Sequence, residues 1–215
     1  MRVVSVNLGE RKTVSWRGKE VETGIFKYPV DSAIVLGKED VEKDHVIDRK
    51  YHGGINKACY IYSADHYNYW KDLYPELDWT YGMFGENITI QGLNESKIYL
   101  GDIYQIGQAK VEVVQPREPC FKLGIRFGTQ KVVKQFLNAP YPGVYLRIIE
   151  EGEVQANDSV TLIQQGNTCA TFEEVYRLSF HSKPEDNPKI EAILQIEQLP
   201  AGLRSNLEKR LKLNS

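Results

Sequence analysis

The run Gln115-Pro116-Arg117-Glu118-Pro119-Cys120-Phe121-Lys122-Leu123 places a thiol where a strand ends, two prolines stiffen the turn and a helix begins. The start of a helix favours thiolate over thiol, and Arg117 and Lys122 add positive charge beside it. A thiol activated in this way is a nucleophile or a ligand for a thiophilic metal. The alternative is that Cys120 is a small buried hydrophobe, as most cysteines are.

A second cluster, Asp48 to Lys57, contains His52, Gly53, Gly54, Asn56 and Lys57. Paired glycines let a ligand approach the backbone, and the imidazole, amide and ammonium groups suit an anion such as phosphate. The plain alternative is a glycine turn with solvated polar residues. A third segment, Phe84-Gly85-Glu86-Asn87-Ile88-Thr89, offers Asn87 either to a ligand or to its own turn. In Val144-Tyr145-Leu146-Arg147-Ile148-Ile149, Arg147 interrupts an apolar strand and points either to a site or to solvent. Lys57, Arg117 and Arg147 together could clamp an anionic group, with His52 and Asn87 assisting. His45, His66 and His181 lack metal-ligand spacing, and Cys59 and Cys169 read as structural. There is no GxSxG, P-loop or GxGxxG fingerprint.

These residues need a scaffold that gathers distant segments. Strands are expected at Val3 to Leu8, Ala58 to Tyr62, Asn87 to Gln91, Asp102 to Ile106, Ala109 to Gln115, Val144 to Ile149 and Ser159 to Gln164. A hairpin of Lys12 to Trp16 and Glu20 to Ile25 turns at Arg17-Gly18-Lys19. Turns at Gly92, Gly107 and Gly152 separate the later strands. Ser63 is placed to cap a helix bearing Tyr67, Trp70 and Tyr74. Many short strands with glycine turns indicate a closed or nearly closed sheet.

After Gln165-Gly166-Asn167 the pattern turns helical. Thr171-Phe172-Glu173-Glu174 is a capping box, followed by Phe172, Val175 and Leu178 on one face. Asn187-Pro188 starts a second helix through Ile190, Ile193, Leu194 and Glu197. Leu203, Leu207 and Leu211 mark a third. Such short helices must dock to be stable. Covering the barrel, forming a homodimer and docking an electron donor are all roles open to them.

With 27 Lys+Arg against 29 Asp+Glu, the formal charge is −2, which argues against a nucleic-acid surface. No apolar run is long enough for a membrane helix, and the N-terminus lacks a signal-peptide core. Three cysteines without a Cys-x-x-Cys pair argue against a disulfide framework or structural zinc, so a cytoplasmic location is expected.

Together the segments His52-Gly53-Gly54 with Lys57-Ala58, Tyr67 to Trp70, Phe84 to Asn87, Gly101-Asp102, Arg117 to Cys120 and Gly143 to Arg147 resemble the MOSC domain family. That family is named after the C-terminal part of molybdenum-cofactor sulfurases, and the closest resemblance is to its YiiM-like bacterial branch. The resemblance spans roughly residues 24 to 165, and the helical tail resembles the C-terminal extension of that branch. It implies a mostly β fold with α elements: a MOSC-type β-barrel over residues 1–166 and a three-helix extension over 167–215.

The resemblance also implies a molybdenum cofactor, a pterin dithiolene carrying a phosphate. Cys120 matches the residue proposed in relatives to ligate the metal or carry sulfur. Lys57, His52, Gly53, Gly54, Asn87, Arg117 and Arg147 fall in the segments expected to bind the cofactor. Relatives reduce N-hydroxylated compounds, hydroxylaminopurine-like bases among them. That chemistry needs a separate flavoprotein or ferredoxin-type reductase, because this chain carries no flavin, haem or iron–sulfur motif. Two other functions stay open: a sulfur carrier using a Cys120 persulfide, and a cofactor-binding module without turnover. Pyridoxal phosphate belongs to another domain of the full-length sulfurases.

Overall fold

The computed structural model describes residues 1–214. One sheet holds eight strands: β1 (Arg2–Gly9), β2 (Lys27–Pro29), β3 (Cys59–Ser63), β4 (Ile88–Gln91), β5 (Ile103–Ile106), β6 (Ala109–Pro116), β7 (Val144–Glu150) and β8 (Val160–Gln164). Their order is β8-β5-β6-β7-β3-β4-β1-β2. Every pairing is antiparallel except β3 with β4. The sheet curls until the edge strand β8 comes against the start of β1. Arg2 bridges Ser159, Val3 N donates to Asp158 O at 2.9 Å, and Val160 N donates to Met1 O at 3.0 Å. These bonds satisfy backbone groups that an open edge would leave bare.

Alternation decides which side chains face inward. Val144, Leu146 and Ile148 of β7 are buried in the barrel, which leaves Tyr145 and Arg147 on the opposite face. In β6 a bulge breaks the register between Val113 and Gln115, so that Gln115 pairs with Tyr145 at the strand end. A bulge adds one residue to one strand and re-aims the chain beyond it. In β6 the re-aimed segment is the Arg117–Cys120 turn.

The helices are α1 (Arg49–His52), α2 (Tyr67–Leu73), α3 (Phe121–Arg126), α4 (Lys131–Asn138), α5 (Phe172–His181), α6 (Asn187–Leu194) and α7 (Ala201–Asn214). Helix α2 lies on the crossover from β3 to β4. Its Tyr67 and Trp70 join Tyr62, Phe84, Leu123 and Phe136 in an aromatic cluster outside the barrel interior. The Tyr62 and Phe84 rings stack at 4.3 Å. None of the helices in the described residues is long and apolar enough to cross a membrane.

The tail does not stand apart from the barrel core. Phe172, Val175, Leu178, Ile190, Ile193, Leu203 and Leu207 belong to the same buried cluster as barrel residues such as Val111 and Leu146. The Thr171 capping box forms as expected, with Glu174 N donating to the Thr171 hydroxyl.

Three local expectations are corrected. Ser63 does not cap a helix; its hydroxyl donates to Leu93 O at 2.9 Å, and a 3₁₀ turn over Ala64–His66 precedes α2. Helix α6 stops at Leu194, before Glu197, because the Arg204 guanidinium takes up the carbonyls of Leu194 and Ile196, each at 2.7 Å. Gly152 opens a short strand (Gly152–Val154) paired with Ile34–Leu36 rather than forming a hairpin turn. Its glycine is required by close packing: a Cβ there would lie 2.5 Å from the carbonyl carbon of Gln108.

Candidate cofactor and active site

Cys120 is the N-cap residue of α3, half-buried, in extended backbone directly after the β6 turn. It lies on the boundary of two cavities. The first, with about 640 Å³ of empty space, is lined by His52, Lys57, Asn87, Arg117, Cys120 and Lys122 among others. The second, with about 1220 Å³, shares His52, Lys57, Cys120 and Tyr145 with the first and opens toward the tail. Cys120 can therefore touch a group in either space.

The first cavity carries surplus positive charge. Lys27, Lys57, Arg117 and Lys122 line it, against Asp44 and Asp48. Lys27 pairs with Asp44, and Lys122 pairs with Asp48. Lys57 and Arg117 pair with no carboxylate among the described residues. The Lys57 ammonium donates to Tyr51 O and stands 5.7 Å from the Tyr145 ring centre. Arg117 is only 5% exposed. Its guanidinium donates to Phe84 O and lies 4.9 Å from the Tyr60 ring centre. Two cations held without a counter-charge, one of them buried, give this cavity electrostatics that suit an anion.

Burial lowers the Lys57 ammonium from its ordinary value, with Glu118 and Cys120 pulling the other way. His52 is lowered to about 4, first by burial and then by Arg117, Lys57 and Lys122, against a weaker pull from Asp48. The imidazole is therefore neutral at pH 7 and offers a ring N–H and a lone pair instead of a charge. The linkage has a definite sign. His52 folds neutral but is protonated in the unfolded chain below about pH 6.5, so its stabilising share is complete above that value and lost as pH falls toward 4. An NMR titration of the ring should place its midpoint near 4; a midpoint above 6 would contradict this environment.

Of the residues expected in the clamp, His52, Lys57, Asn87 and Arg117 do meet around Cys120. Asn87 is already engaged: it donates to Asp44 at 3.0 Å and accepts from Tyr60 N at 3.3 Å. Arg147 is placed elsewhere. It lines neither cavity, and its guanidinium binds the Asn56 side chain at 2.7 and 3.1 Å and Glu112 at 2.8 Å. It thus fixes the turn that carries Lys57. Gly53 and Gly54 also line neither cavity; they shape the chain between His52 and Lys57. Cys59 is fully buried in β3, which pushes its thiol up to about 12 and leaves it unreactive.

Lining residues that sequence reasoning did not assign to the site include Lys27, Asp44, Tyr60 and Tyr145. Tyr145 lies in the same strand as Arg147, two residues away, and alternation puts both on one face. Lys27 and Asp44 carry no local signal, because their pairing depends on the tertiary fold alone.

Residues 48–161 match the MOSC domain model. The chain belongs to the MOSC family. Within that family it is YiiM-like. It is 35% identical over 208 residues to the uncharacterized protein YflK of Bacillus subtilis (strain 168), covering 97% of this chain and 93% of that one. The crystal structure of YiiM from Geobacillus stearothermophilus superposes with a TM-score of 0.81 at 30% identity, covering 98% of each chain. A reductase of Gibberella moniliformis (strain M3125 / FGSC 7600) is 30% identical over 157 residues, which is 69% of this chain but 27% of that protein. The MOSC match begins at Asp48 and takes in His52, Lys57, Arg117, Cys120 and Tyr145. The tail lies beyond it, inside the longer YflK and YiiM likenesses.

Proposed function

We propose that this MOSC protein is a molybdenum-cofactor oxidoreductase that reduces N-hydroxylated compounds, with the Cys120 thiolate as the protein ligand to the metal. The observation that carries the reading is the position of Cys120 between a cationic cavity and a larger one. Among the described residues, no three His, Cys, Asp or Glu side chains gather as a metal site. A metal at Cys120 would thus have to bring most of its ligands with it, as a pterin dithiolene does. A thiolate is a suitable soft donor for such a metal. Lys57 and Arg117, the cations without carboxylates, fit the cofactor phosphate. The donor set fits the group the family implies.

When bound, the cofactor supplies two-electron redox chemistry, and the protein supplies position and electrostatics. Reduction of R–NH–OH by two electrons and two protons gives R–NH₂ and water. His52, neutral at pH 7, borders both cavities and can orient the hydroxyl of a substrate without adding charge. Arg117, from the smaller cavity, and Lys57, on the border of both, would hold the anionic end of the cofactor. The electrons come from an external flavoprotein or ferredoxin-type reductase. The name of the fungal relative supports a redox role.

The test is turnover by protein purified from a cofactor-producing host. It should reduce 6-hydroxylaminopurine with reduced viologen, stay inert with NADPH alone, and gain NADPH dependence when a reductase is added. Turnover with NADPH and no second protein would overturn the external electron source. Full cofactor loading without turnover would favour a storage module, and a Cys120 persulfide without molybdenum a sulfur carrier.

A further inference from the structure

Charge is spread unevenly along the chain. Between Pro119 and Ile149 there are five cations and no carboxylate, in a protein whose formal charge is −2. Two of the five are neutralised from elsewhere: Lys122 by Asp48 and Arg147 by Glu112. Arg126 of α3 and Lys131 and Lys134 of α4 pair with no carboxylate among the described residues. Lys131 and Lys134 are both exposed and lie one turn apart on one face of α4.

A second segment brings more positive charge to the same place. The hairpin of Lys12–Trp16 and Lys19–Thr23 forms a two-stranded sheet of its own. Its Trp16 ring stacks on Phe121 at 6.1 Å, and the Arg17 guanidinium lies 5.3 Å from the Trp16 ring centre. Lys12 and Arg126 hold the same two rings, Phe26 and Tyr28, with every cation-to-centre distance between 4.8 and 5.2 Å. The hairpin's Glu22 is paired with Arg11 at 3.7 Å, and Glu20 has Lys19 beside it. Helix α4 joins through Gln130, whose Nε2 donates to Phe121 O at 2.9 Å. Phe121 and Tyr28, 40% and 38% exposed, are thus rimmed by cations without counter-charges. An apolar centre inside a charged rim is the composition of a protein interface, and here the rim suits an acidic partner. Phe121 is also the residue that follows Cys120, so a molecule bound on this face lies close to the thiol.

We infer that the hairpin, α3 and the start of α4 form the docking face for an acidic electron-carrier protein, with Lys12, Arg17, Arg126, Lys131 and Lys134 steering it onto Phe121 beside Cys120. This places the donor on the barrel side of the molecule rather than on the tail, and it rests on the reductase reading for the purpose of the electrons. A reduced flavodoxin, the probe, gives up one electron at each of two encounters. With two protons these convert R–NH–OH to R–NH₂ and water, and the flavodoxin is left oxidised. Stopped-flow oxidation of photoreduced flavodoxin by holoprotein, with 6-hydroxylaminopurine as acceptor, should slow as salt is added. Two variants, Arg17→Glu and Lys131→Glu with Lys134→Glu, should each lower the second-order rate constant at least about tenfold at low salt. Their melting temperature, molybdenum content and turnover with reduced viologen, a small cation that needs no cationic face, should match the wild type. An NMR titration with oxidised flavodoxin reads docking without turnover, and both variants should bind more weakly. Weakened binding in the variants of a protein that turns over with no donor would defeat the reductase reading and leave the acidic-protein face standing. A rate and an affinity indifferent to both variants, or no binding of flavodoxin by the wild type, would overturn the docking face. Variants that lose only binding to anionic phosphatidylglycerol vesicles would assign the face to a membrane and overturn it too.

Discussion

Cys120→Ser should fold with the wild-type circular dichroism and melting temperature, yet be isolated without molybdenum and reduce no N-hydroxylated substrate with any donor. That result is expected because serine matches cysteine in shape while replacing a soft thiolate with a hard hydroxyl that stays protonated at neutral pH. The site tolerates the exchange structurally. Cys120 is half-buried, and its side chain makes no cap hydrogen bond to α3. Loss of activity should be at least about a thousandfold, roughly 4 kcal/mol of transition-state stabilisation at about 1.36 kcal/mol per tenfold. Cys169→Ser, in the tail and lining neither cavity, is the control and should keep both metal and turnover. Elemental analysis and a viologen-coupled assay on the two variants check the pair. Normal loading of Cys120→Ser would remove the thiol from the metal's ligands.

The largest expected loss of stability comes from Asp44→Ala. Asp44 is the counter-charge of Lys27 beneath the cationic cavity, and the two side chains are 2% and 9% exposed. Its carboxylate also accepts from Gly9 N at 2.9 Å and from Asn87 at 3.0 Å. Burial alone would raise this carboxyl, but Lys27, Asn87 and Gly9 outweigh it and hold it below the usual aspartate value. Removing it strands a buried ammonium together with two unpaired N–H groups. Breaking one side of a buried pair costs about 3–5 kcal/mol. For a chain of this size that is a fall in melting temperature of roughly 6–20 °C. Lys27→Met combined with Asp44→Leu should recover much of the loss, because it removes both charges. A cost for Asp44→Ala below about 1 kcal/mol would mean that the pair is solvated. The pH dependence has its origin in the same shift. A lowered carboxyl contributes stability above its unfolded value near pH 4, and that share is lost as pH drops through the lower folded value.

Local patterns were legible in the sequence, and long-range pairings were not. Strand alternation, the Thr171 capping box and the helix face of Phe172, Val175 and Leu178 each appear where their periodicity places them. The Cys120 turn was legible because a thiol, two prolines and two cations sit within a few residues. Lys27 meets Asp44, 17 positions away, and Lys122 meets Asp48, 74 positions away, with no period joining them. Arg147 shows how a polar residue in an apolar strand can mislead. It faces neither a ligand cavity nor bulk solvent alone, but grips Asn56 and so braces Lys57 from behind. The tail presented itself as packing helices, and its apolar faces do pack. That Gly202, Leu203 and Asn206 of α7 border the larger cavity depends on how the helix docks, which helical periodicity does not encode.

Whether Cys120 holds a molybdenum cofactor whose phosphate lies on Lys57 and Arg117 is tested most directly at the metal itself. The measurement is metal analysis of protein from a cofactor-producing host, with X-ray absorption at the molybdenum edge. The expected result is a molybdenum atom for each chain, coordinated by one sulfur more than the two of the pterin dithiolene. Molybdenum absent from the purified protein, or present without that additional sulfur, would contradict the assignment of Cys120 as its ligand.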